Sequence, residues 1–316
     1  MHPPLLSIYE TVRSLGWGGA FELLRNGVVL GSLYALIALG YTMVYGILRL
    51  INFAHGDIYM LGAFMGLFAS RWLHAGESPS FGKALVVLLT SMLACALIGM
   101  VIERLAYKPV RKSPRLSALI TAIGVSLLIE NGCVLLFGAS PRFFPQIVAQ
   151  KAIPLAPGVA ISNQQLIVIV VSLVLMLALR WLVLHTRVGK AMQAVSHNHM
   201  AAALMGISVD RIVTFTFMIG SALAAAAGVL VALQSPKIEP YMGILPGLKA
   251  FVAAVLGGIG NIPGAVVGGL LIGLAEQLTA GYLSPDYRDA ITFLILIVIL
   301  LMKPEGLLGV VRQEKV

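Results

Sequence analysis

Nine apolar stretches succeed one another along the chain, at residues 27–48, 57–74, 84–103, 117–138, 165–184, 212–233, 248–259, 263–280 and 289–302. Crossing roughly 30 Å of hydrocarbon takes about 20 helical residues, and most of these runs reach that length. A soluble core would instead show stretches with one polar face. The pattern predicts an all-α polytopic membrane protein with about 8 transmembrane helices. Two interruptions stand out. Asn52-Phe53-Ala54-His55-Gly56-Asp57 separates the first two stretches, and Gly257-Gly258-Ile259-Gly260-Asn261-Ile262-Pro263-Gly264 separates the seventh from the eighth. A helix does not pass smoothly through the second sequence, so a hairpin, or a half-helix followed by a full one, is expected near 257–264.

The breaks lie in opposite halves of the chain, the arrangement in which many transporters place discontinuous helices facing the solute near the midplane. Irregular backbone at that depth is tolerated only where protein buries it or it lines a cavity. Asn52, Phe53, His55, Gly56 and Asp57, with Gly257, Gly258, Gly260 and Asn261, are therefore candidates for a pathway or gate. The structural alternatives are an ordinary cytoplasmic turn at 52–57, with Asn52 or Asp57 capping the next helix, and a tight turn between antiparallel helices at 257–264. No repeat relates the two halves.

Basic residues set the orientation. The 104–115 loop carries Arg104, Lys108, Arg111, Lys112 and Arg115, the 185–211 loop carries Arg187, Lys190 and Arg211, and the tail carries Lys303, Arg312 and Lys315. The positive-inside rule assigns these three to the cytoplasm. The proline-rich segments 139–164 and 234–247 then lie outside, the C-terminus inside and the N-terminus outside. Three regions follow: an interfacial or disordered segment at 1–26, where Ile8, Val12 and Leu15 have helical spacing; a membrane domain at 27–302; and a cytoplasmic tail at 303–316. Glu10, Arg13, Glu22 and Arg25 interrupt any signal-peptide core.

Composition agrees with this picture: 59% of the 316 residues are hydrophobic and 11% charged, where soluble domains carry about 25% charged residues. The formal charge of +9 falls between apolar runs rather than on one face, which argues against nucleic acid as a partner. Cys95 and Cys133 lie inside expected spans and read as small apolar residues. Gly27/Gly31, Gly62/Gly66, Gly264/Gly268 and Gly269/Gly273 have the small-xxx-small spacing that lets helices approach closely, here expected within one subunit. Glu130-Asn131, Glu276-Gln277 and Tyr34, Tyr41 and Tyr45 are read as structural, and Glu103-Arg104 as an interfacial ion pair.

Catalytic signatures are missing from the sequence. Gly189-Lys190 is followed by Ala191, with Leu184 where a phosphate loop needs its first glycine. Gly258-x-Gly260-x-x-x-Gly264 is too long for a dinucleotide fingerprint. His197 and His199 have no cysteine or carboxylate nearby to complete a metal site. No enzymatic activity, metal or cofactor of its own is expected. The 185–211 loop is longer than a connector needs to be. Its Ala- and Met-rich segments read as one or two short helices closed by Gly206, suited to lying in a groove of another protein.

Several of these pieces together resemble one family. Asn26-Gly27 and Gly31-Ser32-Leu33-Tyr34-Ala35-Leu36-Ile37-Ala38-Leu39-Gly40, then Val44-Tyr45-Gly46 and Ile51–Asp57, are similar to the start of branched-chain amino-acid ABC-importer permeases. Lys249–Ala265, Arg187–Met192 with Met205-Gly206-Ile207, and Arg288-Asp289 with Lys303–Gly309 resemble that family's other motifs in the same order. The length resembles that of the shorter, LivH-type subunit. The resemblance implies a bacterial inner-membrane importer in which this chain pairs with a second, related permease. Two cytoplasmic ATPase subunits would bind ATP, and a soluble extracytoplasmic solute-binding protein would deliver leucine, isoleucine or valine. Urea or short-chain amide permeases, and an ion-coupled secondary transporter, are the alternatives. ABC importers carry a Glu-Ala-Ala-x-x-x-Gly coupling pattern. Ala201, Ala202 and Gly206 match it, while Met200 stands in the acid's place. By that resemblance Arg187, Gly189, Lys190, Ala201, Ala202 and Gly206 couple to the ATPases.

Overall fold

The computed structural model describes residues 4–111, 113–156 and 159–309. Lys112, Arg312 and Lys315 of the basic segments lie outside them. In chain order come α1 (Pro4–Leu48), α2 (His55–Trp72) and α3 (Phe81–Ile102), the last running through a π-helical turn (Glu103–Tyr107) into the short α4 (Lys108–Val110). After α5 (Arg115–Phe137) two small strands, β1 (Arg142–Phe143) and β2 (Ala152–Ala156), precede β3 (Val159–Ser162) and α6 (Asn163–His185). Then follow α7 (Arg187–His197), α8 (His199–Leu204), α9 (Val209–Gln234), β4 (Lys237–Ile238), α10 (Ile244–Gly257), α11 (Ile262–Tyr282) and α12 (Arg288–Met302).

Six of these helical segments are long and apolar enough to cross a membrane: Gly18–Leu48, Phe81–Val110, Leu116–Phe137, Asn163–His185, Val209–Gln234 and Ile262–Tyr282. The more polar α2 and the shorter α10 and α12 complete the match to the nine apolar stretches. The protein is thus a polytopic helical membrane protein, with strands confined to the proline-rich connectors. There the extended backbones pair with each other, β1 with β4 and β2 with β3, both antiparallel, which satisfies peptide groups that no helix serves. Residues 4–48 form one helix, so no change in backbone marks the boundary expected at residue 26.

Helix α1 is the axis of the bundle. Its apolar part is 89% buried, mainly against α11, α9 and α10, whereas that of α5 is only 17% buried. The burial of α1 rests on small residues. A Cβ on Gly31 would stand 2.7 Å from Leu270 Cα, and one on Gly269 would stand 2.5 Å from the Ala35 nitrogen, so α1 and α11 meet backbone to backbone. Gly62 and Gly66 meet Ala225 and Val229 of α9, while Gly264 and Gly268 meet Gly257 and Ala253 of α10. All four small-residue pairs therefore serve packing within the chain, as expected. The C-terminal ends of α1, α3/α4 and α6, the helices α7 and α8, and the residues after α12 share one end of the bundle, here called the basic face for its Arg104, Lys108 and Arg111.

Candidate functional site

The first break is not a surface turn. Helix α1 ends at Leu48, and the chain doubles back so that α2 begins at His55, whose ring lies beside Gly40 of α1 and Gly220 of α9. Gly40 is about two turns inside the end of α1, and Gly220 three turns inside the start of α9. By the helical rise, His55 therefore sits roughly 12–16 Å into the bundle. The ring packs edge-on against Tyr41 at 4.7 Å, and a Cβ on Gly40 would fall inside it. The alternative of an N-cap by Asn52 or Asp57 fails: the N-cap position of α2 is Ala54, and no side chain caps the helix.

Each polar group here has been given a different neighbour. Asn52 accepts a hydrogen bond from the Tyr107 hydroxyl at 2.6 Å, and its Nδ2 has no partner among the described residues. The π-helical turn makes this contact possible. Its wider winding directs Tyr107 at Asn52 and also sends Glu103 towards α9, where Thr214 donates to it at 2.7 Å. Glu103 pairs with Arg111 rather than with Arg104, a correction to the expected ion pair. Asp57 accepts from Ser126 of α5 at 2.5 Å. His55 Nε2 has no partner among the described residues, and Asn52, His55 and Asp57 are each 2% exposed or less. Gly56 touches the first turn of α10: its Cβ would stand 2.7 Å from the Gly243 carbonyl and 3.0 Å from Gly247 Cα.

The second break is a half-helix, α10, followed by a tight turn. Gly258 and Gly260 adopt φ of +102° and +94°, which side chains disfavour. Asn261 then caps α11, accepting from the Gly264 nitrogen at 3.1 Å. The segment after α12 folds back over this turn. Leu307 N donates to Leu256 O at 2.8 Å, Leu308 N donates to Gly257 O at 3.0 Å, and Asn261 Nδ2 donates to Leu308 O at 2.6 Å. The free carbonyls at the end of α10 are thus met by the chain's own later residues. The start of the expected tail, 303–309, is in fact a strap across the bundle, and residues 310–316 lie outside the described part.

The two breaks flank one apolar cleft, lined by Tyr41, Tyr45, Ile51, Phe251, Ala254 and Ile259. Ile51 comes from the link between α1 and α2, immediately before Asn52, and Ile259 from the second break. Phe251 of α10 bridges them, 6.0 Å from Tyr41 and 6.3 Å from Phe53. Tyr41 and Tyr45, expected to be structural, are cleft walls.

Sequence reasoning missed a buried ion network at the other end of α10. Lys249 Nζ lies 2.8 Å from Glu276 and 2.6 Å from Asp289, and Tyr34 and Thr292 each donate to Glu276 at 3.1 Å. The signal was present, since a lone lysine in an apolar half-helix requires an acidic partner in another span.

On the basic face, α7 lies against the bundle through Gly189, Met192 and Val195. Gly189 rests on the carbonyls of Leu182 and Val183, which leaves no room for a side chain. Asn198 breaks the loop into two helices by capping α8, accepting from Met200 N at 2.9 Å and Ala201 N at 3.0 Å. Ala202 is buried, whereas Arg187, Lys190, Ala201 and Gly206 face outward. The sequence reading overlooked Met200, Leu204 and Met205, 75%, 83% and 83% exposed, which form an apolar edge on α8. Met200 and Leu204 are spaced i, i+4, a pattern that would have revealed it.

A multi-pass bundle with two breaks flanking an apolar cleft, and an exposed apolar edge on one face, has the architecture of a membrane permease. Residues 23–300 match the family described as branched-chain amino acid transport system, permease component, and the chain belongs to that family. It is 43% identical to the high-affinity branched-chain amino acid transport system permease protein LivH of Salmonella typhimurium, over 92% of this chain and 96% of that one. It is 42% identical to LivH of Escherichia coli K12 over the same shares. Identity to BraD of Pseudomonas aeruginosa is 41%, over 93% and 97%.

Proposed function

We propose that this chain is one permease half of an ABC importer for branched-chain amino acids, working by alternating access driven by ATP that partner subunits bind and hydrolyse. A second, related permease would complete the pathway. Two ATPase subunits would dock on the basic face, which is then cytoplasmic by the positive-inside rule, and a soluble binding protein would deliver solute from the opposite side of a bacterial inner membrane. The chain has no catalytic role and needs no cofactor of its own.

The observation that carries the reading is the α8 edge. Met200, Leu204 and Met205 are exposed apolar side chains that lie outside the six membrane-crossing segments, and a partner's groove would cover them. Around them Arg187, Lys190, Ala201 and Gly206 are contact residues, while Gly189 and Ala202 hold the two helices to the bundle. The lining of the cleft between the breaks is apolar, the chemistry that an aliphatic side chain would meet there. Asn52, Phe53, His55, Gly56 and Asp57 with Gly257, Gly258, Gly260 and Asn261 form the gate around it. Among the described residues, Asn52 Nδ2 and His55 Nε2 have no partner and keep hydrogen-bonding capacity there.

Reconstitution in liposomes with the partner permease, the ATPases and the binding protein tests the assignment. ATP-dependent accumulation of labelled leucine, isoleucine and valine, competed by one another and not by urea or acetamide, is expected. Accumulation driven by an ion gradient without ATPases would overturn it.

A further inference from the structure

The docking helix is tied to the gate by one hydrogen bond. His199, the first residue of α8, places Nε2 2.8 Å from the carbonyl oxygen of Ile47 in the last turn of α1. The tautomer with its proton on Nε2 is therefore the donor. The final carbonyls of a helix lack intrahelical partners. Arg49 N serves Tyr45 O at 2.7 Å, and His199 serves Ile47 O two residues further on. Among the described side chains of α8, this is the hydrogen bond that reaches a membrane-crossing helix.

Its position gives it a mechanical meaning. Tyr41 and Tyr45, on the last two turns of α1, form one wall of the cleft, and Gly46 faces Gly260 across the second break. On the other side of His199, Met200 and Leu204 form the apolar edge. The residue thus stands between the surface where an ATPase would push and the helix end that walls the cleft. We propose that His199 is a positioning residue that transmits displacement of α8 to the C-terminal turn of α1, so that ATPase closure moves the Tyr41/Tyr45 wall. This rests on the docking role proposed for α8. Packing through Ala202 holds α8 to the bundle, and the His199 bond adds the directional link to α1; without it, displacement of α8 reaches the end of α1 less completely.

The test compares two substitutions of similar length, His199→Gln, which keeps an N–H donor, and His199→Met, which removes it. Both are measured in the full reconstituted complex. Leu204→Cys in otherwise unchanged protein reports docking by maleimide labelling, with Cys95 and Cys133 buried. Expected are ATPase-dependent protection of Leu204→Cys, and an unchanged ATPase rate in both His199 variants. Leucine moved per ATP should fall about fivefold in His199→Met, the size set by one hydrogen bond, and stay near the parent value in His199→Gln. Protection together with parent-like transport per ATP in His199→Met would overturn the tether while leaving the docking reading intact. Equal losses in both variants would overturn the hydrogen bond as the link. Absence of protection would overturn the docking reading, and the tether with it.

Discussion

The hydroxyl of Tyr107 donates to the side-chain oxygen of Asn52 over 2.6 Å, joining the π-helical turn after α3 to the first break. Both residues are at most 2% exposed, so water cannot replace either partner. Tyr107→Phe would leave the Asn52 oxygen buried and unpaired, at a cost of about 1–3 kcal/mol. Thermal unfolding in detergent should show that loss, and an unchanged midpoint would mean the break does not depend on this bond.

Lys249 ties the start of α10 to α11 and α12 through Glu276 and Asp289. Removing one member of a buried pair strands the other charge, at about 3–5 kcal/mol. Lys249→Met should therefore destabilise strongly in the same thermal assay. The double variant Lys249→Met with Glu276→Met should lose less than the sum of the two single losses. Additive losses would show that the two residues do not interact.

Gly40 leaves the space that the His55 ring fills. Gly40→Ala should abolish stable expression, because backbone and a buried ring cannot both yield. Adding His55→Ala should restore a folded, monodisperse protein with reduced transport. Failure of the second change to restore folding would place the clash elsewhere.

Asn261 has two duties that one pair of variants separates. Asn261→Asp keeps the acceptor that caps α11 but loses the donor to Leu308 O, whereas Asn261→Ala loses both. Amide hydrogen exchange at Leu307 and Leu308, which donate to Leu256 O and Gly257 O, should be faster in both variants. Only Asn261→Ala should lose the further ~1 kcal/mol of the cap. Parent-like exchange in both would show that Leu307 and Leu308 hold the strap unaided.

Leu204→Asp should prevent ATPase docking while leaving thermal stability within about 0.5 kcal/mol of the parent, as for other exposed positions. Pull-down with the ATPases measures the first effect. Normal docking would locate the contact away from the α8 edge.

Most of the fold was legible because apolar runs report directly on spans. The nine stretches returned as helices, and the four small-residue pairs returned as close helix–helix contacts within the chain. What stayed hidden was depth and pairing. Asn52–Asp57 reads equally well as a surface turn or a buried break, because nothing local records that the chain turns back along α1 before α2 begins. The strap is illegible for a related reason: its bonds are between backbone groups, which every sequence possesses. The α8 edge and the Lys249 network were visible in principle, one as an i, i+4 apolar pair and the other as an isolated charge. Each needed a partner surface or a partner helix to be recognised.

The strap also sets an order of assembly. Leu308 lies 47 residues along the chain from Asn261, the residue that holds it. During synthesis both α11 and α12 must be in the membrane before Leu307 and Leu308 can reach the carbonyls of Leu256 and Gly257. Until then the end of α10 is an open helix terminus beside a glycine turn, and the bundle is complete in outline but unlatched. The half-helix that walls the cleft is therefore among the last parts of the molecule to become fixed.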